Sequence, residues 1–187
     1  MIINLRGTSG SGKTHLARRI MDMYGTKVSY KREGRKQPIG YVYSRRGGAK
    51  PSLAVIGHYE TACGGCDTLP TNDLIFDLVR NAHEMCHDVL FEGLLISSDV
   101  NRVVNLWTAS YPVQVVALNT PLDVCLDSVN ARRQAKTPGK PPVNPANTTS
   151  KHRAVQLSMK RLAEAGVPSH WLDRDAAFDH ICRTLKL

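Results

Sequence analysis

Two periodicities alternate along this chain. Met1–Leu5, Asp88–Gly93 and Val113–Leu118 are short, nearly continuous apolar runs, the pattern of strands buried on both faces. Between them, apolar residues recur every three to four positions, as amphipathic helices require. Leu16, Ala17, Ile20 and Tyr24 mark one face of a helix over His15–Tyr24, stopped at Gly25. Leu74, Ile75, Leu78, Val79, Ala82 and Met85 do the same over Asn72–Cys86. Ser98 is placed to cap a helix over Asp99–Ala109, and Thr120-Pro121 to open one running to about Gln134. Ser150–Ala165 predicts another helix, ended by Gly166. His170–Leu172 reads as a short strand, and Asp175 as the cap of the last helix. Lys27–Lys31 is a short strand followed by a Glu33-Gly34 turn. Ile39–Ser44 and Leu53–Tyr59 predict a β-hairpin whose tip is Arg45-Arg46-Gly47-Gly48.

Strands alternating with helices predict an α/β fold, a doubly wound and mostly parallel sheet covered on both faces. The hairpin is expected as an insertion at about 35–60, and the Pro- and Asn-rich stretch 135–149 as a loop. The 187 residues, 42% hydrophobic, make one domain with a sizeable core. No apolar run approaches the ~20 residues of a membrane span. The first strand begins at the N-terminus, leaving no room for a signal peptide. Five cysteines in such a chain suggest free thiols in a reducing cytoplasm.

The most specific chemistry lies between the first strand and the first helix. Gly7-Thr8-Ser9-Gly10-Ser11-Gly12-Lys13-Thr14 matches the phosphate-loop pattern G-x-x-x-x-G-K-[ST]. Its glycines let successive N–H groups turn inward on an anion at a helix N-terminus. Lys13 supplies charge for the β- and γ-phosphates of ATP, and the Thr14 hydroxyl a ligand for Mg²⁺. Glu92 ends an apolar strand beside that loop. From there a carboxylate reaches Mg²⁺ through water or takes a proton from an acceptor hydroxyl. Arg132 and Arg133 lie three and four residues beyond Val129 and extend the face of Leu122, Cys125, Leu126 and Val129. They are candidates to offset charge on a transferred phosphoryl group, with a lid at about 132–150 closing over ATP.

Charge narrows the partner. The net charge of +9 is concentrated. Residues 27–50 carry eight lysines and arginines against Glu33 alone, and residues 131–153 six with no acid. A lid over ATP accounts for the second cluster, while the first suits an extended polyanion such as DNA. Tyr41, Tyr43 and Tyr59 interleave it and are either base-stacking platforms or alternating strand packing. The loop Glu60–Asp67 offers Asp67 or Glu60 as a second candidate base. Its Cys63-x-x-Cys66 pair, with His83 and Cys86, admits a zinc reading. A guanine reader would want a lysine after Asn119, and Thr120-Pro121 starts a helix instead.

The phosphate loop, Val89–Gly93, Asn119-Thr120-Pro121 and Arg132-Arg133 together resemble the nucleoside-monophosphate and polynucleotide kinase group of phosphate-loop (P-loop) kinases. Within it, the loop Tyr59–Asp67 and the basic hairpin resemble the small phage kinases, related to thymidylate kinase, that act on 5-hydroxymethyluracil in DNA. The resemblance implies phosphorylation of the base's hydroxymethyl group by ATP, in the host cytoplasm, as a step towards hypermodified thymidine. It also implies a flipped or single-stranded base. The Asp-Arg motif of thymidylate kinases is not found after Glu92-Gly93, which points away from a free-nucleotide substrate. A nucleotide or other small-molecule kinase, a polynucleotide 5′-hydroxyl kinase and a nucleic-acid-binding ATPase are the competing readings.

Overall fold

The structure, a computed structural model, describes residues 1–47, 52–85 and 87–187. Among these residues seven strands form one sheet: β1 (Ile2–Arg6), β2 (Lys27–Tyr30), β3 (Gly40–Tyr43), β4 (Leu53–Ile56), β5 (Asp88–Glu92), β6 (Val113–Leu118) and β7 (Ser169–Leu172). Their order is β2-β3-β4-β5-β1-β6-β7. The run from β4 to β7 is parallel, and β2 and β3 add antiparallel strands at one edge. Among the described residues six α-helices cover it: α1 (Lys13–Asp22), α2 (Asn72–Glu84), α3 (Asn101–Thr108), α4 (Leu122–Lys136), α5 (Pro145–Glu164) and α6 (Arg174–Leu185).

The core has two layers because the central strands bury both faces. Ile2, Val89, Phe91 and Val115 pack against α2, α3 and α5. Ile3, Leu5, Leu90 and Val116 pack against α1 and α6. Among the described residues no helix is long and apolar enough to cross a membrane.

Several elements depart from the sequence reading. The β3–β4 hairpin is no appendage inserted into the fold. All four residues of β4 are buried, and it is itself a strand of the parallel sheet, in register with β5. What is added is β2–β3, of which β2 is exposed throughout. The Pro-rich loop is shorter than expected. α4 runs to Lys136, and Pro145 occupies the first turn of α5, where its missing N–H costs nothing. The Asn144 side chain caps that helix by accepting the Ala146 N–H at 2.9 Å. Ser98 closes a 3₁₀ turn (Ile96–Ser98) instead of capping α3. Asp173, not Asp175, caps α6, accepting the N–H groups of Asp175 and Ala176. Gly48, Lys50 and Cys86, parts of the expected hairpin tip, basic segment and zinc set, lie outside the described residues.

Arg6, at the end of β1, has no solvent exposure. Its guanidinium donates to Asn4 Oδ1 at 2.7 Å, to Ser158 Oγ at 3.0 Å and to the carbonyls of Ser97 and Asp99. It thereby ties the phosphate loop's root to α5 and to the loop after β5. Burial pulls its pKa down to about 10. Arg6→Met leaves the buried Asn4 Oδ1 without its donor and unpicks the links to Ser158 and Asp99, and a loss of about 3 kcal/mol is expected, read as a lowered urea midpoint.

Candidate active site

The carboxyl ends of the parallel strands carry the candidate site, as the topology of open α/β sheets dictates. Gly7–Gly12 leave β1 and wrap into α1. Gly10 has φ 84°, and a Cβ there would lie 2.2 Å from the Cys125 carbonyl oxygen. Backbone of α4 therefore rests directly on the loop, a contact closed to any side chain. Lys13 is buried, and its Nζ donates to the carbonyls of Gly7 at 2.7 Å and Thr8 at 3.1 Å. Burial lowers its pKa, an effect opposed by the nearby carboxylates Glu92 and Asp67.

β5 lies beside β1 with Glu92 opposite Leu5, which brings the buried Glu92 carboxylate to the start of α1. The Thr14 hydroxyl donates to Glu92 Oε1 at 2.8 Å. Burial raises the Glu92 pKa; Lys13 and the Thr14 hydrogen bond act against the rise. The Gly64-Gly65 pair has a steric origin. Gly65 has φ 91°, and a Cβ there would meet the Glu92 carbonyl oxygen at 2.5 Å and its carboxyl carbon at 2.8 Å. The loop after β4 thus closes on Glu92 through bare backbone.

Asp67 sits in the 3₁₀ turn Cys66–Thr68 and also lines the cleft. Its two oxygens accept the N–H groups of Leu94 at 2.9 Å and Leu95 at 3.1 Å, so it clamps the chain leaving β5. Arg132 lines the cleft with Ser9, Gly12, Lys13, Thr14 and Ser128, in a cavity of about 330 Å³. Arg133 does not. One residue on is about 100° around the helix, and Arg133 is half-buried away from the cleft walls. Two arginines not singled out from the sequence join Arg132. Arg174, the first residue of α6, packs over Gly12. Arg18, one turn after Thr14 on α1, donates to the carbonyls of Tyr59 and Thr61. Lys13, Arg18, Arg132 and Arg174 outweigh Glu92 and Asp67, leaving the cleft a net cation suited to a polyphosphate.

Other candidates lie elsewhere. Glu60 accepts the Tyr41 hydroxyl at 2.7 Å and faces Lys27, outside the cleft lining. Tyr41 is buried, Tyr43 and Tyr59 pack on the α1 side of the core, and the Tyr59 hydroxyl is enclosed, so the three rings serve strand packing. The zinc set is pulled apart. Cys66 is buried and donates to the Ile56 carbonyl, while His83 lies near the far end of α2. That helix has 13 residues and is about 20 Å long.

The basic segment is divided by the same topology. Lys31, Arg32 and Lys36 are exposed on the turn between β2 and β3, at the cleft end of the sheet. Arg35, on that turn, donates to the Thr68 carbonyl at 3.1 Å. The hairpin between β3 and β4 turns at the opposite end. There Arg46 donates to the carbonyls of Asp22 and Tyr24, and Arg45 to that of Lys186. Arg45 and Arg46 therefore satisfy orphan carbonyls at the C-terminal ends of α1 and α6.

A glycine cradle at the carboxyl edge of a parallel sheet, with an internal lysine and a hydroxyl–carboxylate pair, defines a phosphotransferase of the phosphate-loop kind. No family model matches the chain. A chain of the PezAT chromosomal toxin–antitoxin system of Streptococcus pneumoniae shares the fold, with a TM-score of 0.56 and 18% identity over 94% of this chain and 69% of that one. Curated relatives are closer in sequence. A protein of Pseudomonas phage PaMx11 named 5-hmdU DNA kinase is 50% identical over 99% of this chain and 97% of its own. Proteins of the same name from Pseudomonas phage M6 and Delftia phage PhiW-14 are 28% and 26% identical over 90% and 96% of this chain, and over 90% and 70% of their own lengths. The chain belongs to the family of 5-hmdU DNA kinases.

Proposed function

We propose that this kinase transfers the γ-phosphoryl group of ATP to the hydroxymethyl oxygen of 5-hydroxymethyluracil in DNA, a step towards hypermodified thymidine. The observation that carries the reading is the buried Glu92 carboxylate, held 2.8 Å from the phosphate loop's Thr14 in a chain half identical to a relative named for this substrate. The inward N–H groups of Gly7–Thr14 bind the phosphates, and Lys13 leaves its resting carbonyls for the β- and γ-oxygens. Thr14 and Glu92 offer only hard oxygen donors, which fit Mg²⁺, and these two residues would hold it. When bound, that ion neutralises charge on the transferred group. Arg132 and Arg174 offset the charge from the α4 and α6 sides. Glu92 accepts the hydroxymethyl proton, a role for which a raised pKa is suited. Asp67 positions the chain that bears it. The exposed segment 137–144, between α4 and α5, is a lid whose closure excludes water.

Transfer of labelled γ-phosphate is the test, using matched DNAs with blocked or free 5′ ends that contain thymine or 5-hydroxymethyluracil. Label only on hydroxymethyluracil DNA supports the reading. Label on both, dependent on a free 5′ end, would identify a 5′-hydroxyl kinase, and label on neither a free small-molecule acceptor.

DNA is proposed to lie against the Lys31–Lys36 turn, because that is the exposed part of the basic segment at the cleft end. Replacing Lys31, Arg32 and Lys36 together by Gln is expected to reduce the slope of log K against log [salt] by roughly 2 to 3. Arg45→Gln/Arg46→Gln leaves that slope unchanged and lowers the melting temperature. Titrations at several salt concentrations separate the two.

A further inference from the structure

A second cavity, about 330 Å³, adjoins the phosphate cleft. It lies between the loop's first half and the first two turns of α5. Its walls are Thr8, Ser9, Leu94, Asn147, Thr148, Ser150 and Lys151. Ser9 and Leu94 line both cavities, so the two communicate there.

Its position relative to the phosphates follows from the loop. Gly12, Lys13 and Thr14 begin α1 and hold the inner phosphates at the helix N-terminus. Lys13 Nζ reaches back to Gly7 and Thr8, which marks their side as the terminal-phosphate end. An acceptor oxygen must approach that phosphorus in line with the leaving oxygen. The second cavity opens on the Thr8–Ser9 side, from which such an approach comes. Leu94 and Glu92 both line the phosphate cleft, so a group lying over Leu94 faces the cleft that holds the proton acceptor.

The lining suits a base lifted out of a DNA strand. Leu94 is an apolar surface for a ring face. Asn147, Ser150 and Lys151 are spaced i, i+3, i+4 and share one side of α5. Asn147 is exposed, and among the described residues its amide has no hydrogen-bond partner. An amide offers a donor and an acceptor side by side, the complement of the O4 and N3–H edge of a uracil ring.

We propose that this cavity receives the everted 5-hydroxymethyluracil and that Asn147 binds its Watson–Crick edge, a proposal that rests on the function argued above. Asn147 is a specificity-determining residue for the acceptor, and Leu94 bears the ring. Asn147 lines this cavity and not the phosphate cleft.

The test is steady-state transfer from ATP to hydroxymethyluracil DNA by the wild type, Asn147→Ala and Ser150→Trp, with ATP affinity measured in parallel by a fluorescent analogue. Ser150 is exposed, so an indole there fills the cavity without entering the core. Asn147→Ala is expected to raise KM for the DNA about tenfold, with KM for ATP unchanged. Ser150→Trp is expected to abolish transfer and retain ATP binding. Free 5-hydroxymethyl-2′-deoxyuridine should compete against the wild type and fail to compete against Asn147→Ala. If the wild type transfers phosphate and both variants keep its KM and kcat, the cavity assignment is overturned while the kinase reading stands. If the wild type transfers nothing to hydroxymethyluracil DNA, both fall.

Discussion

Lys13→Met is expected to lower phosphoryl transfer by about 10³-fold, the scale of losing one preorganised charge donor to a transition state, without lowering stability. Lys13 is buried against Gly7 and Thr8, with Glu92 and Asp67 near. Its positive charge is buried under the loop, whereas Arg132 on α4 is exposed. Stability follows from the direction of its pKa. Burial lowers the folded-state value, so the native state binds that proton less tightly than the unfolded chain. The ammonium therefore costs stability at every pH below its folded pKa. That cost fades only as the pH rises through the folded value towards the ordinary lysine value. Unlike Arg6, Lys13 lines the open cleft, where water can take over the Gly7 and Thr8 carbonyls, so at neutral pH the methionine variant is expected to melt at the same temperature as the wild type or higher. Calorimetry beside the transfer assay checks both halves, and a lower melting temperature would contradict the account.

Glu92→Gln is expected to reduce kcat by 10²- to 10⁴-fold, the range for general-base loss. The amide keeps an oxygen to accept the Thr14 hydroxyl, so the 2.8 Å contact and the packing against Gly65 persist. What is lost is the capacity to take a proton and the negative charge facing the metal position. The pH profile separates this from misfolding. Because burial raises the Glu92 pKa, wild-type kcat/KM should fall on acidification at a pH above the ordinary carboxylate value of about 4.3. The glutamine variant should lack that limb. The same shift has a stability consequence of opposite direction. A carboxyl whose folded pKa is raised costs stability above that pKa, and the cost disappears as the pH falls through it. The wild type is therefore expected to gain stability over the acid range in which it loses activity.

Both residues were legible without coordinates, and for the same reason. Lys13 belongs to a contiguous motif whose spacing is set by the loop's own backbone, and Glu92 ends an apolar run whose neighbour in a parallel sheet can be anticipated. Arg174 was invisible because it is brought to Gly12 by the crossover from β6 to β7, a contact across most of the chain. Arg133 shows the converse. Its adjacency to Arg132 suggested a pair, but the helical rotation between neighbours takes it away from the cleft. Tyr41, Tyr43 and Tyr59 carried two readings in the sequence, and core packing on the α1 side decided between them.

Local physics accounts for what the chain alone determined: strand and helix identities, the phosphate loop, the acid at the end of β5 and the concentration of charge. Each depends on residues within a few positions of one another. Tertiary structure decided which of those charges face the cleft. β3 runs antiparallel to its neighbours, so the two turns of one basic segment fall at opposite ends of the sheet. The Lys31–Lys36 turn is left free beside the cleft, while Arg45 and Arg46 are spent on helix-end carbonyls. Which end of the sheet each turn occupies depends on long-range pairing, which composition and periodicity do not encode.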